Sequence, residues 1–500
     1  MFREINGAVE ASSLKELKHR KVKQLTCVII VFLLSRLLYY YVGIRFDVTP
    51  LAHFWQYIDV NLLSTNLLQS LYYLHSQPPL FNLFLGISLK FFANHLVMAF
   101  HLSYLLLGLI FTISLYLLMT KLGVSYSLST ILTILFIISP ACILYENWLF
   151  YTYPIAVSLS LSAFFLHKFL VTQTAKDGFI FFTLLSLIAL TMSMFHILWF
   201  SLFVLILLFY ERHNWKKIAF ACCIPFALIF LLYLKNLHVF GIFTNSSWFG
   251  MNFSRITILN LPEQERVSLV CQGKISELSL IPPFSNFVDY PLNWSGIKKT
   301  NIPVLDQEIK TGGDTNFNNI IYINISKQYL KDAFYTLLFQ PKTYIKGLMI
   351  AYWNYFRPSS KYLFLMDNRK HIQDMDRFYN LVFFGQILNN DTPTLRKDGT
   401  IQYDTHKFLN MGLFLVIGYP ILAFYGFLLT LKAFSGNPID SPFALTILFI
   451  GINILYITLV SNSFELHENN RLRFIIDPFF LLLLSLFINN GVKKFKQHAD

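Results

Sequence analysis

Long apolar runs set the terms on which this chain can fold. Stretches at about 25–44, 96–119, 126–144, 153–171, 179–195, 197–210, 218–235, 409–431, 442–460 and 474–489 carry almost no charge. Roughly 20 apolar residues in a helix cross the ~30 Å hydrocarbon core of a bilayer, and a helix satisfies its own backbone polar groups there. The pattern predicts an all-α polytopic membrane protein with about ten transmembrane helices. With 55% hydrophobic and 13% charged residues and a mean hydropathy of +0.52, a soluble globular fold is excluded.

The formal charge of +13 does not point to nucleic acid, because no basic stripe or binding motif accompanies it. Lys and Arg instead mark cytoplasmic loops. Residues 1–24 are basic, and the run after them has no small-residue cleavage site, so it reads as a retained anchor behind a cytoplasmic N-terminus. The first loop, 45–95, then faces outward. Within it, the apolar piece from Pro79 to Phe92 is too short to span and opens on two prolines, which predicts an interfacial or re-entrant helix. That reading puts Glu146 outside and the basic 211–217 turn inside. Residues 236–406 form a long, mainly polar external segment, with an interfacial helix expected over Tyr329–Phe356. C-terminal spans follow over 407–489, and 490–500 is a cytoplasmic tail.

No Walker loop, dinucleotide fingerprint, HExxH or Gly-x-Ser-x-Gly sequence is present. The five cysteines are scattered and define neither a disulfide framework nor a zinc site. Sequons at Asn245, Asn252, Asn293, Asn324 and Asn390 all fall in the external segment and are compatible with an ER lumen.

The residues that could carry chemistry are the few ionisable groups at the outer rim, where burial is costly. Asp47 follows the first span and can act as a general base or be a solvated loop acid beside Arg45. Asp59 reads as a water-facing or backbone-capping acid. Glu146, in Tyr145-Glu146-Asn147-Trp148, puts a second carboxylate on the same side, so Asp47 and Glu146 could hold a divalent metal or position a hydroxyl. His75, in His75-Ser76-Gln77-Pro78-Pro79-Leu80, and His196, atop a hairpin, could each meet a phosphate or serve structure. Arg471 and Arg473 suit phosphate oxygens, or a salt-bridged turn with Glu468 and Asp477.

In their order and common side, Asp47, the His75–Leu80 turn, Glu146 and the late arginines resemble the membrane glycosyltransferases of the C superfamily. Within that superfamily the pattern resembles protein O-mannosyltransferase-like enzymes and the lipid A aminoarabinose transferase. The resemblance covers about 25–235 and, more loosely, 409–489. It implies transfer of a sugar from a polyprenyl phosphate, undecaprenyl or dolichyl, to an acceptor on the outer or lumenal face of a bacterial inner membrane or ER membrane, usually with inversion. By that resemblance Asp47 is the base and Glu146 orients a substrate. His75, His196, Arg471 and Arg473 would then neutralise the leaving lipid phosphate. Many members carry two adjacent acids where this chain has Asp47-Val48, and some have a lysine where it has His196. The expected partners are the lipid-linked donor and membrane lipids, with no nucleic acid; the acceptor is not specified. The alternatives are a transporter or flippase of a lipid-linked or anionic substrate, and a scaffold docking through 236–406.

Overall fold

The computed structural model describes residues 2–291, 299–389, 393–395, 401–403, 408–435 and 441–499. It is 76% helical, and the described strands form one two-stranded antiparallel hairpin, Pro393–Leu395 with Ile401–Tyr403. The fold is therefore all-α in its architecture, as the apolar runs predict.

The first helix, α1 (Phe2–Tyr41), leads into the first loop, which contains α2 (Leu80–Phe91). The bundle continues with α3 (Leu96–Lys121), α4 (Tyr126–Ile137), α5 (Pro140–Glu146), α6 (Thr152–Thr172), α7 (Ala175–Ala189), α8 (Ile197–Tyr210) and α9 (Trp215–Phe240). Next come α10 (Phe249–Ile256), α11 (Ile321–Phe339) and α12 (Pro341–Tyr355), then α13 (Leu413–Phe434), α14 (Ser441–Phe464), α15 (Asn469–Phe474) and α16 (Asp477–Ala499). Six of the described helices are long and apolar enough to cross a membrane, at 19–41, 93–121, 152–172, 212–240, 413–434 and 441–464. A seventh crossing follows if the bent pair α4–α5 counts as one span. α8 is apolar but has only 14 residues, and α2 only 12. At ~1.5 Å per residue, α2 falls well short of the hydrocarbon thickness.

Inside the bundle, α7 packs against α6 and α9, α6 against α3 and α14, and α1 against α3 and α4. Helices α4 and α5 meet at 58°. Pro140 forces this break, since it lacks an N–H and disfavours helical geometry at Ser139; Ser139 instead caps α5 through its Oγ. The carbonyls freed at the break find partners on α1. Arg36 Nη1 donates to Ile137 O at 3.0 Å, and Tyr39 OH donates to Ile138 O at 2.7 Å.

The 236–406 segment has its own largely aromatic core, built from Trp248, Met251, Phe253, Phe317, Tyr322 and Tyr329. The expected single helix over Tyr329–Phe356 is two helices. Gln340 leaves helical geometry (φ −129°, ψ 52°) because Pro341 follows it, and the chain folds back as the α11–α12 hairpin. Asp332 of α11 is buried and accepts from Ser276 N and Ser279 Oγ. Asn245 is also buried, its Nδ2 donating to Ser193 O, whereas Asn324 is exposed. Asn293 and Asn390 lie outside the described residues.

Candidate functional site

A cavity of about 630 Å3 opens where one end of the bundle meets the 236–406 segment. Its walls come from the residues just before α6, the α7–α8 turn, the last turns of α14, the Glu465–Arg471 turn, the first loop at 53–56, and α10 with the residues before it. These helix ends share one side if the spans alternate. Nine of its lining residues are Phe, Tyr or Trp, with Trp55, Tyr151, Trp248, Phe284, Tyr456 and Phe464 among them.

Two buried arginines enter this aromatic space, each with a carboxylate. Arg471 pairs with Glu468 and donates from Nη1 to Thr152 Oγ1 at 2.9 Å. Its guanidinium lies 4.9 Å from the Phe150 ring centre. Arg255 Nη1 stands 3.4 Å from Glu465 Oε1, a looser pair. The Glu465–Arg471 turn is set by Asn469, whose Oδ1 accepts from His467 N and whose Nδ2 donates to Ser461 O. His467 has a left-handed φ of 87°, which a non-glycine residue adopts only at a cost of ~1–3 kcal/mol. Burial pushes the Glu465 carboxyl up to about 7 against the pull of Arg255. Burial also opposes ionisation of Glu468, but Arg471 outweighs it and holds that carboxyl below its usual value. One carboxylate is thus firmly charged and the other is poised near neutrality.

Of the sequence-derived candidates, Arg471 and His196 line this cavity. His196 caps α8, its Nδ1 accepting from Leu198 N at 3.3 Å, and burial lowers its proton affinity. Asp47 lines a separate pocket of about 240 Å3, together with Arg45, Trp148 and Asn368. Phe364 lines both spaces and forms part of the wall between them. The Asp47 backbone bridges to the 147–149 segment, and its Oδ1 accepts from Thr49 N and Oγ1 at 2.9 and 2.7 Å. Arg45 does not pair with it, donating instead to Tyr40 O and Ile44 O.

The other three candidates are buried in networks that use their polar atoms. Glu146 is not on an external rim: the α4–α5 bend carries it into the bundle. There it accepts from Arg36 Nε (2.8 Å) and Nη2 (2.6 Å), and from Tyr153 OH (2.7 Å). A Cβ at Gly108 would overlap Glu146 Oε2, so the pair needs glycine on α3. Asp47 and Glu146 therefore do not converge as a metal pair, and no group of three or more potential ligands clusters among the described residues. His75 is fully buried; its Nε2 meets Asn318 O at 3.0 Å and must donate, so Nδ1 accepts from Ser247 Oγ at 2.8 Å. Burial, with Lys235 nearby, pushes it down to about 3, and it stays neutral. Arg473 donates to Asp477, to the carbonyls of Tyr355 and Arg357, and to Ser359 Oγ, clamping the end of α12 to the start of α16. Asp59 caps the helix Val60–Thr65, accepting from Asn61 N, and also binds Thr311.

Sequence reasoning missed Arg255, Glu465, His53 and Asp314 as cavity residues. Glu465 was within reach, three residues before Glu468 in the same turn. The others come from segments that only the fold brings together. No family model, curated protein or solved structure matches the chain.

Proposed function

We propose that this protein is a glycosyltransferase that moves a sugar from a polyprenyl phosphate to an acceptor at the outer or lumenal face of its membrane. One observation carries the reading: an aromatic cavity at the end of a membrane-length bundle that holds two buried arginines. Planar guanidinium groups recognise phosphate oxygens, and in a poorly solvated cleft they stabilise the charge that grows on a departing lipid phosphate. Aromatic faces suit both the apolar side of a sugar ring and the first isoprene units. Because each arginine already has a glutamate, an incoming phosphate takes the place of a carboxylate, and the loosely held Glu465 is the one to yield.

Ten crossings fit this arrangement when α7, α8 and the apolar part of α16 join the long helices and the bent pair. Both termini then lie on the cytoplasmic side, where Lys and Arg concentrate. Asp47 orients an acceptor that enters through its own pocket beside Phe364. A transporter of a lipid-linked or anionic substrate would use the same arginines without breaking a bond.

Purified protein in lipid nanodiscs, titrated with undecaprenyl phosphate, tests the phosphate site. Arg255→Gln weakens binding by about tenfold or more, which corresponds to ~1.4 kcal/mol. Equal affinity in wild type and variant would remove Arg255 from the site.

A further inference from the structure

His53 and Asp314 both line the cavity, on segments far apart in sequence. His53 Nδ1 lies 2.8 Å from Asp314 Oδ2. A carboxylate at Nδ1 fixes the proton there and leaves the Nε2 lone pair as a base. The two segments are held in register. Lys310 Nζ donates to Phe54 O and Tyr57 O at 2.8 and 2.7 Å, and Thr311 binds Asp59. The turn that presents Asp314 closes through Gly313 at φ +88°, with Gly313 N donating to Lys310 O. Gly312 packs against the carbonyl of Ala52, the residue before His53.

The other ionisable groups of this site are already engaged. Arg255 and Arg471 face Glu465 and Glu468, and His196 accepts a backbone N–H. We propose that His53, oriented by Asp314, takes the proton of the acceptor hydroxyl during sugar transfer. This rests on the glycosyltransferase reading. The acceptor oxygen attacks the anomeric carbon and the bond from that carbon to the phosphate oxygen breaks. The electron pair of that bond leaves with the lipid phosphate, and the hydroxyl proton moves to His53 Nε2. His53 is 60% exposed, so the proton then passes to water.

The test uses full-length protein in nanodiscs, with a panel of sugar-radiolabelled undecaprenyl phosphates as donors and undecaprenyl phosphate alone as the binding probe. His53→Gln lowers turnover by ~10²–10⁴-fold, the range for loss of a general base, and leaves undecaprenyl phosphate affinity unchanged, which also shows that the variant is folded. Asp314→Asn, acting through His53, costs less, and Asp314→Glu, which keeps a carboxylate for Nδ1, recovers part of the loss. Overturning results are wild-type turnover in His53→Gln, loss of phosphate affinity along with turnover, or an Asp314→Glu variant that recovers no more turnover than Asp314→Asn. Loss of turnover in Asp47→Asn but not in His53→Gln would likewise assign the proton to Asp47. If wild type binds undecaprenyl phosphate but cleaves none of the donors, the glycosyltransferase reading itself fails, and this inference with it.

Discussion

Glu465→Gln separates a poised carboxylate from a fixed one. In the cavity Glu465 faces Arg255 from α10, Glu468 and Arg471 from its own turn and α15, and Tyr151 before α6. Burial raises it to about 7. A phosphate bound beside Arg255 favours its protonated form, so the occupied site binds one more proton than the empty one. Affinity is then independent of this group below pH 7 and falls towards tenfold per unit above it, leaving binding at pH 8 weaker by about tenfold, or ~1.4 kcal/mol. In Glu465→Gln that dependence disappears, and at pH 8 the variant binds more tightly than wild type. Trp55 and Trp248 line the cavity, so intrinsic fluorescence can follow a titration with undecaprenyl phosphate from pH 6 to 9. The ratio of variant to wild-type affinity cancels ionisation of the ligand itself. A ratio that stays constant across pH 7–9 would refute the reasoning.

Three further outcomes concern stability. Arg36→Met strands the Glu146 carboxylate inside the bundle and costs ~3–5 kcal/mol, the range for breaking a buried pair; the thermal unfolding midpoint in detergent reads it, and an unchanged midpoint contradicts the pairing. Gly108→Ala drives a methyl into Glu146 Oε2 and costs about 1–3 kcal/mol by the same assay. His75 binds its proton far more weakly when folded, at about 3 against the ordinary 6.5. The unfolded chain therefore takes up the extra proton, and stability present above pH 6.5 is lost as pH falls below it, by ~1.2 kcal/mol from pH 6 to 5. His75→Asn flattens this part of the curve, which denaturation at stepped pH would show.

The helical architecture is legible in the sequence because apolar length and helix satisfaction in lipid act locally. Asp59 is legible for the same reason, since a carboxylate two residues before a free N–H makes its own cap. The split of α11 from α12 was written in Gln340-Pro341, but the aromatic periodicity on either side hid it. The site was less legible because ion pairing is tertiary. Glu146 looks like a rim acid until the bend at Pro140 turns it onto Arg36, a residue in the middle of the first apolar run. Arg473 has the same side chain as Arg471 two positions away, yet four acceptors consume it while Arg471 reaches the cavity. His53 and Asp314 carry no signal in sequence; the Lys310 and Thr311 contacts bring them together.

Sugar transfer is the central claim, and cleavage of a lipid-phosphate sugar tests it most directly. Wild-type protein incubated with sugar-radiolabelled undecaprenyl phosphates is predicted to release undecaprenyl phosphate from at least one donor and to move the label to an acceptor or to water. Protein that binds the donors and releases every one of them intact would contradict the account and leave a carrier of lipid-linked sugars in its place.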